Sequence, residues 1–187
     1  MTSPESAIDN ATGVAAALAV TRAVGAHIAP LRRGLRLAFF SVEEWALIGS
    51  AQYVAGLEQH ERDAIALNVN LDSIAGSSSL TAMTSGFSRL EPFLLDVAAA
   101  SGHAVRCVRP LMMNSDHGHF AIAGIPAFRL VAGYDDPLAN SRFVLTPSDT
   151  RDKVSRAQLA AAAEFSAAVV LAACDAAQAE TQRWRSS

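Results

Sequence analysis

The sequence predicts an α/β fold, a three-layer sandwich with a mostly parallel central sheet flanked by helices. Three observations predict it. Its 187 residues, 51% of them hydrophobic, suit one domain with a sizeable core and leave too little chain for two. Short apolar runs at Leu35–Phe40, Ala64–Leu71 and Ala127–Val131 have the near-continuous character of strands buried on both faces. Segments with helical spacing separate them, and such alternation implies parallel strands joined by right-handed crossovers.

The first helix is expected over Asn10 to Ala26, where Val14, Ala17 and Leu18 recur at helical spacing and Asp9 leads in. Pro30 and Gly34 bracket a loop before the strand Leu35–Phe40, and a second helix follows from about Trp45 to Leu57. The strand Ala64–Leu71 closes on Asp72, and Leu80–Thr84 is a further short strand. Glu91 to Ala100 reads as a helix that stops near Gly102, because glycine takes the left-handed cap without steric cost. A strand over Ala104–Val108, a polar loop over Asn114–His119 and the strand Ala127–Val131 come next. A long amphipathic helix from about Ser155 to Gln178 completes the pattern, with the Ser155 hydroxyl as its N-cap. No repeat, low-complexity tract or linker divides the chain, so residues 1–187 are expected to form a single domain.

Composition excludes several function classes. A net charge of -3 and a pI near 5.9, with no basic run beyond Arg32-Arg33, leave no electrostatic footprint for nucleic acid or an anionic membrane surface. Small molecules or peptides are the expected partners. Cys107 and Cys174 have no metal-binding or disulfide-framework spacing and read as buried, reduced thiols. The Ala-rich stretch Ala157 to Ala177 carries Glu164, Ser166 and Asp175 at intervals that suit a helix outside the membrane. The opening Met1-Thr2-Ser3-Pro4-Glu5 has neither a basic nor an apolar signal region, so a cytoplasmic location is expected of the chain as it stands.

The chemistry-bearing residues gather at strand ends. Glu43 and Glu44 directly follow the strand at Leu35–Phe40, and Asp72 follows Ala64–Leu71. Asp9 precedes the first helix. In open parallel sheets, sites form beyond the carboxyl ends of the strands, so these acids are expected to share one edge. Adjacent carboxylates repel one another, and two readings account for the pair. Glutamates in a first helical turn are favoured by the macrodipole. Alternatively, one acid serves as general base while the other holds a cation that offsets the repulsion. Asp72, Asp149 and the Asp9-Asn10 pair also have plain readings as turn or helix caps.

Five ordered blocks carry a family resemblance: Ala7-Ile8-Asp9-Asn10-Ala11-Thr12-Gly13-Val14; Arg36-Leu37-Ala38-Phe39-Phe40-Ser41-Val42-Glu43-Glu44 with Gly49-Ser50; Asn70-Leu71-Asp72; Ser115-Asp116-His117 with Phe120 and Gly124-Ile125-Pro126-Ala127; and Thr146-Pro147-Ser148-Asp149-Thr150. From Ala7 to about Val154 the chain resembles the zinc exopeptidases typified by bacterial leucyl aminopeptidase, metallopeptidase family twenty-eight, which also contains the glutaminyl cyclases. The resemblance implies that Glu43 is the general base, that Asp9 bridges two metal ions, and that Glu44 and Asp72 each bind one. It further implies zinc as cofactor, one or two ions, and hydrolysis of residues from the free amino end of a peptide by metal-activated water. Asp116 and His117 then stand near the site as substrate-binding or supporting groups. A cis peptide after the bridging aspartate, here Asp9-Asn10, is also implied.

Two departures from the family pattern are visible. The family's His-x-Asp element should lie ahead of Asp9, but none of the eight preceding residues is histidine. His27-Ile28-Ala29 imitates that element only superficially. A second histidine ligand should directly precede the Thr-Pro block, where Leu145 stands. The remaining set is all-oxygen, which holds zinc weakly, so weak or partial occupancy is expected unless His117 or His119 takes the place of Leu145. The alternatives are a non-hydrolytic member that binds a ligand or partner in the old cleft, and a glutaminyl-cyclase-like transferase. The family's opening helix and strands are missing from the pattern, which would leave a sheet edge open. Self-association, or a partner segment covering that edge, is expected in consequence. Were the natural protein to begin upstream, secretion to the periplasm or beyond would be equally compatible.

Overall fold

A computed structural model describes residues 5–186, so all but Glu5 of the opening residues read above for a signal region lie outside it. A turn of π-helix, Ala7–Thr12, leads into α1 (Gly13–Gly25). α2 (Ile48–Gly56) and α3 (Gln59–Ala64) precede β1 (Asn68–Leu71) and β2 (Leu80–Met83). α4 (Leu90–Ser101), β3 (Val105–Val108), α5 (His117–Ile122) and β4 (Ala127–Ala132) follow, and α6 (Arg156–Asp175) and α7 (Gln178–Trp184) close the chain.

The strands lie in the order β1-β4-β2-β3, with β1 and β4 parallel, β2 and β3 parallel, and β2 and β4 antiparallel. The fold is therefore α/β with a mixed sheet, parallel in two of its three pairings. Register places Asn70 opposite Arg129 and Leu71 opposite Leu130. Because side chains alternate across a strand, Phe128, Leu130 and Ala132 face one helical layer while Ala127 and Arg129 face the other.

The first layer is the larger core. Leu90 and Leu94 of α4 and Phe165 and Val169 of α6 pack against Phe128 and Leu130, all with no exposed surface. α1 joins this layer through Val20 and Val24, which pack on Val170 and Cys174. α6 is long and apolar enough to cross a membrane by composition, and its Phe165 and Val169 are fully buried in these contacts. On the opposite face, Val54 of α2, Leu57 just after it and Phe120 of α5 meet Ile125 and Ala127, with the tilted rings of Phe40 and Tyr53 at the margin.

Several expectations are modified. Leu35–Phe40 pairs with no strand among the described residues, and an open groove separates it from the free edge of β1. The second helix begins at Ile48 and not near Trp45, since Ala46 (φ 65) and Leu47 (φ 56) take the left-handed conformation. The supposed loop at Asn114–His119 already contains the start of α5. The last long helix stops at Asp175, where the Arg33 guanidinium donates to the carbonyls of Ala173 and Ala176 and to the Thr181 hydroxyl, and α7 starts afresh. Of the two thiols, Cys174 is buried as expected, whereas Cys107 is half-buried.

Candidate active site

Four segments meet beyond the carboxyl ends of β1 and of the extended stretch before Glu43. Gly13 brings the first of them close: a β-carbon there would stand 2.1 Å from the Leu71 carbonyl oxygen, so α1 reaches the end of β1 only because this residue has no side chain. The Asn10 amide fixes the same junction, donating to the Leu71 carbonyl (3.0 Å) and accepting from the amides of Gly13 (3.0 Å) and Ser73 (3.3 Å). The Asp9-Asn10 peptide is cis. The Asp149 carboxylate accepts from the amides of Ile8 (2.7 Å) and Asp9 (3.0 Å), so the Thr146–Thr150 segment clamps the backbone that presents Asp9.

Glu43 and Glu44 do not sit in a regular first helical turn. Val42 (φ 60) precedes them and Ala46 and Leu47 follow, all left-handed, and the Leu47 amide closes a turn on the Glu43 carbonyl at 2.9 Å. A β-branched residue in this conformation is a true outlier, and such positions cost on the order of 1–3 kcal/mol each. The macrodipole reading of the pair is therefore not the arrangement the chain adopts. The strained turn points both carboxylates toward the strand end.

The carboxylates of Asp9, Glu43, Glu44, Asp72 and Asp116 line one cleft of about 930 Å³. Burial, then the charges of Asp72 and Glu44, push Asp9 up to about 6. Burial, then Asp72, Glu44, Asp116 and Asp9, push Glu43 up to about 7. Burial also raises Asp116, against a Ser50 hydroxyl that pulls the other way. Asp72 is the best tied of the five: its carboxylate accepts from the hydroxyls of Ser73 (3.1 Å) and Ser115 (2.6 Å) and pairs with Arg129 at 3.2 Å. Asn70 donates to the Ser115 hydroxyl at 2.6 Å and completes this network.

Two of the residues singled out from the sequence stand apart. His117 is fully buried, lies outside the cleft lining, and is pushed down to about 4 by burial and by the Arg129 charge; neither ring nitrogen finds a partner among the described residues. Leu145 is 76% exposed in a left-handed loop position (φ 62) and does not line the cleft. Sequence reasoning missed Arg129 as a cation in the acid cluster, and Asp149 as the clamp on Asp9. A charged residue within the apolar run Ala127–Ala132 was the available signal for the first.

Whether a zinc ion fits can be tested on these side chains. Among the described residues, no three His, Cys, Asp or Glu side chains stand close enough together to hold an ion. The one imidazole in the cleft lining, His60, is paired with Glu58 at 3.2 Å, and Asp72 already has its oxygens engaged by two hydroxyls and a guanidinium. The described side chains do not by themselves fit zinc.

A sequence model of peptidase family M28 matches residues 1–170. A search of curated protein sequences finds no match. The fold is similar to an aminopeptidase from Aneurinibacillus sp. strain AM-1, with TM-score 0.80 and 26% identity over 93% of this chain and 41% of that one. It is also similar to BSAP, a zinc aminopeptidase from Bacillus subtilis, with TM-score 0.83, 24% identity, and 93% and 43% of the two chains covered. The LapA aminopeptidase of Legionella pneumophila gives TM-score 0.77 and 18% identity over 93% and 48%. The chain spans less than half the length of each of these proteins.

Proposed function

The chain belongs to peptidase family M28, and from that premise we propose that its cleft is the site of an exopeptidase acting on the free amino end of peptides, an aminopeptidase. The observation that carries this reading is Glu43, a cleft carboxyl raised to about 7 by burial and by Asp72, Glu44, Asp116 and Asp9. A base with its pKa near the working pH can both accept and return a proton. Glu43 takes a proton from water as the water oxygen attacks the scissile carbonyl carbon. It then gives the proton to the departing amine as the carbon–nitrogen bond breaks. The surrounding acids offset the charge of a substrate ammonium, which fixes the amino end and excludes blocked peptides.

Zinc is named with the similar Bacillus subtilis structure. For this chain the all-oxygen donor set supports weak binding at most, and no step above depends on an ion. The reading is tested by incubating the purified protein with aminoacyl anilides and their N-acetylated counterparts, with zinc, manganese or cobalt added. Turnover confined to anilides with a free amino group is expected. Hydrolysis of both sets alike, or of neither with any ion, contradicts it.

A further inference from the structure

The turn that carries Glu43 and Glu44 is held in a conformation that its own residues resist. Val42, Ala46 and Leu47 all take positive φ (60, 65 and 56), and none of them is glycine. Such residues persist there only where the surrounding contacts over-determine the backbone. Those contacts converge on Leu47, which is buried. Its amide donates to the Glu43 carbonyl at 2.9 Å, and its carbonyl accepts from the Ala51 amide at 3.0 Å and from the Ser50 hydroxyl at 3.1 Å.

Ser50 has no exposed surface, and no other side-chain hydrogen bond among the described residues reaches residues 41–49. It can sit this close to the turn because Gly49 lets the start of α2 lie on the Ser41 backbone: a β-carbon at Gly49 would stand 2.4 Å from the Ser41 carbonyl oxygen. On its other side Ser50 neighbours Asp116, which burial raises and the hydroxyl pulls back. A hydroxyl has one proton to give, and Asp116 Oδ1 has no hydrogen-bond partner among the described residues, so the proton belongs to Leu47. Two hydrogen bonds therefore run in series through one residue, from the Ser50 hydroxyl to the Leu47 carbonyl and from the Leu47 amide to the Glu43 carbonyl.

We propose that Ser50 is a positioning residue for Glu43, its hydroxyl holding Leu47 in the left-handed conformation that keeps the Glu43 carboxylate in the cleft. Without that bond Leu47 relaxes to the right-handed region that a residue with a β-carbon prefers. Its amide then turns away from the Glu43 carbonyl, and Glu43 loses the tie on its own backbone. The carboxylate shifts relative to the scissile bond while Asp9, Glu44 and Asp72 still hold the substrate ammonium. A misplacement of about 1 Å at a reacting group costs on the order of 10²-fold in rate. The kinetic consequence rests on the reading of Glu43 as proton carrier, whereas the hold on the turn does not.

The test compares the full chain with Ser50→Ala, Ser50→Cys and, as a control, Val54→Ala, which loosens the packing of the same helix and leaves the hydrogen bonds of the turn in place. Exchange of the Leu47 amide is read by NMR relative to the amides of β1, and kcat and KM are measured with a leucyl anilide under one set of metal conditions. In Ser50→Ala, Leu47 exchange is expected to quicken at least tenfold and kcat to fall at least tenfold, with KM within twofold of the parent. Ser50→Cys keeps the shape and weakens the donor, so it should move both quantities the same way by less. Val54→Ala should leave both near the parental values. Parental Leu47 exchange in Ser50→Ala overturns the proposal, as does faster exchange with an unchanged kcat, or an equal loss of kcat in Val54→Ala. If the parent turns over no anilide, the aminopeptidase reading fails separately, and Leu47 exchange alone decides whether Ser50 holds the turn.

Discussion

Glu43 is raised because ionising it puts a further charge among carboxylates already shielded from water, and this has a consequence for stability that can be signed. Between the ordinary glutamate range and about 7, the folded chain holds a proton on Glu43 that the unfolded chain has lost. Stability from this residue is therefore full below that window and falls as pH rises through it. Asp9 acts in the same sense up to about 6, while His117, neutral in the fold down to about 4, contributes in the opposite sense. Comparing Glu43→Gln with the parent isolates the first effect: urea midpoints of the variant should fall less between pH 4 and pH 7. Arg129 is the cation that makes this cluster tolerable, with 12% of its side chain exposed and Asp72 at 3.2 Å. Arg129→Met leaves a buried carboxylate unpaired and should cost about 3–5 kcal/mol in denaturant unfolding. The positions of Asp9, Glu43, Glu44 and Asp72 at strand and helix ends were legible in the sequence because local pattern sets them. Arg129 showed itself only as a charge inside an apolar run, and its partner, like the Asp149 clamp 140 residues from Asp9, depends on which segments become neighbours.

At the scale of elements, the site is a junction of segments and depends on how closely they approach. α1 meets β1 through Gly13, whose missing side chain lets the Leu71 carbonyl come within 2.1 Å of where a β-carbon would be. Gly13→Ala should force the helix start away from the strand end and lower stability by about 1–3 kcal/mol. Near-ultraviolet circular dichroism and urea unfolding would read the two effects separately. Periodicity identified the helices around Val14, Leu94 and Phe165 and the strands at Asn68, Leu80, Val105 and Ala127, each within a few residues of where it stands. It failed where ends are set by contacts or by unusual backbone. The left-handed positions at Ala46 and Leu47 delay α2, and the Arg33 guanidinium ends α6. Leu35–Phe40 shows the limit most plainly: apolar run length marks a segment fit for a sheet, but pairing requires a neighbour within about 5 Å, and among the described residues none is there.

Across the whole molecule, the sandwich places its acids at the β1 edge of the sheet. The larger core of α4, α6 and the sheet is complete, with Phe165, Phe128 and Leu130 fully buried, and it anchors the mixed sheet independently of the groove. The α/β architecture was legible because the alternation of elements and the total apolar content specify layers. The mixture of parallel and antiparallel pairing was not, since strand order arises only when all four strands compete for neighbours. At the cleft, chemistry and fold converge on Glu43. The measurement that bears on this most directly is the turnover of a leucyl anilide by the parent chain and by Glu43→Gln, under one set of metal conditions and with substrate affinity followed in parallel. If Glu43 carries the proton, the variant loses about 10²–10⁴-fold in kcat while still binding the amino end of the substrate. A variant that turns over at the parental rate would contradict the account.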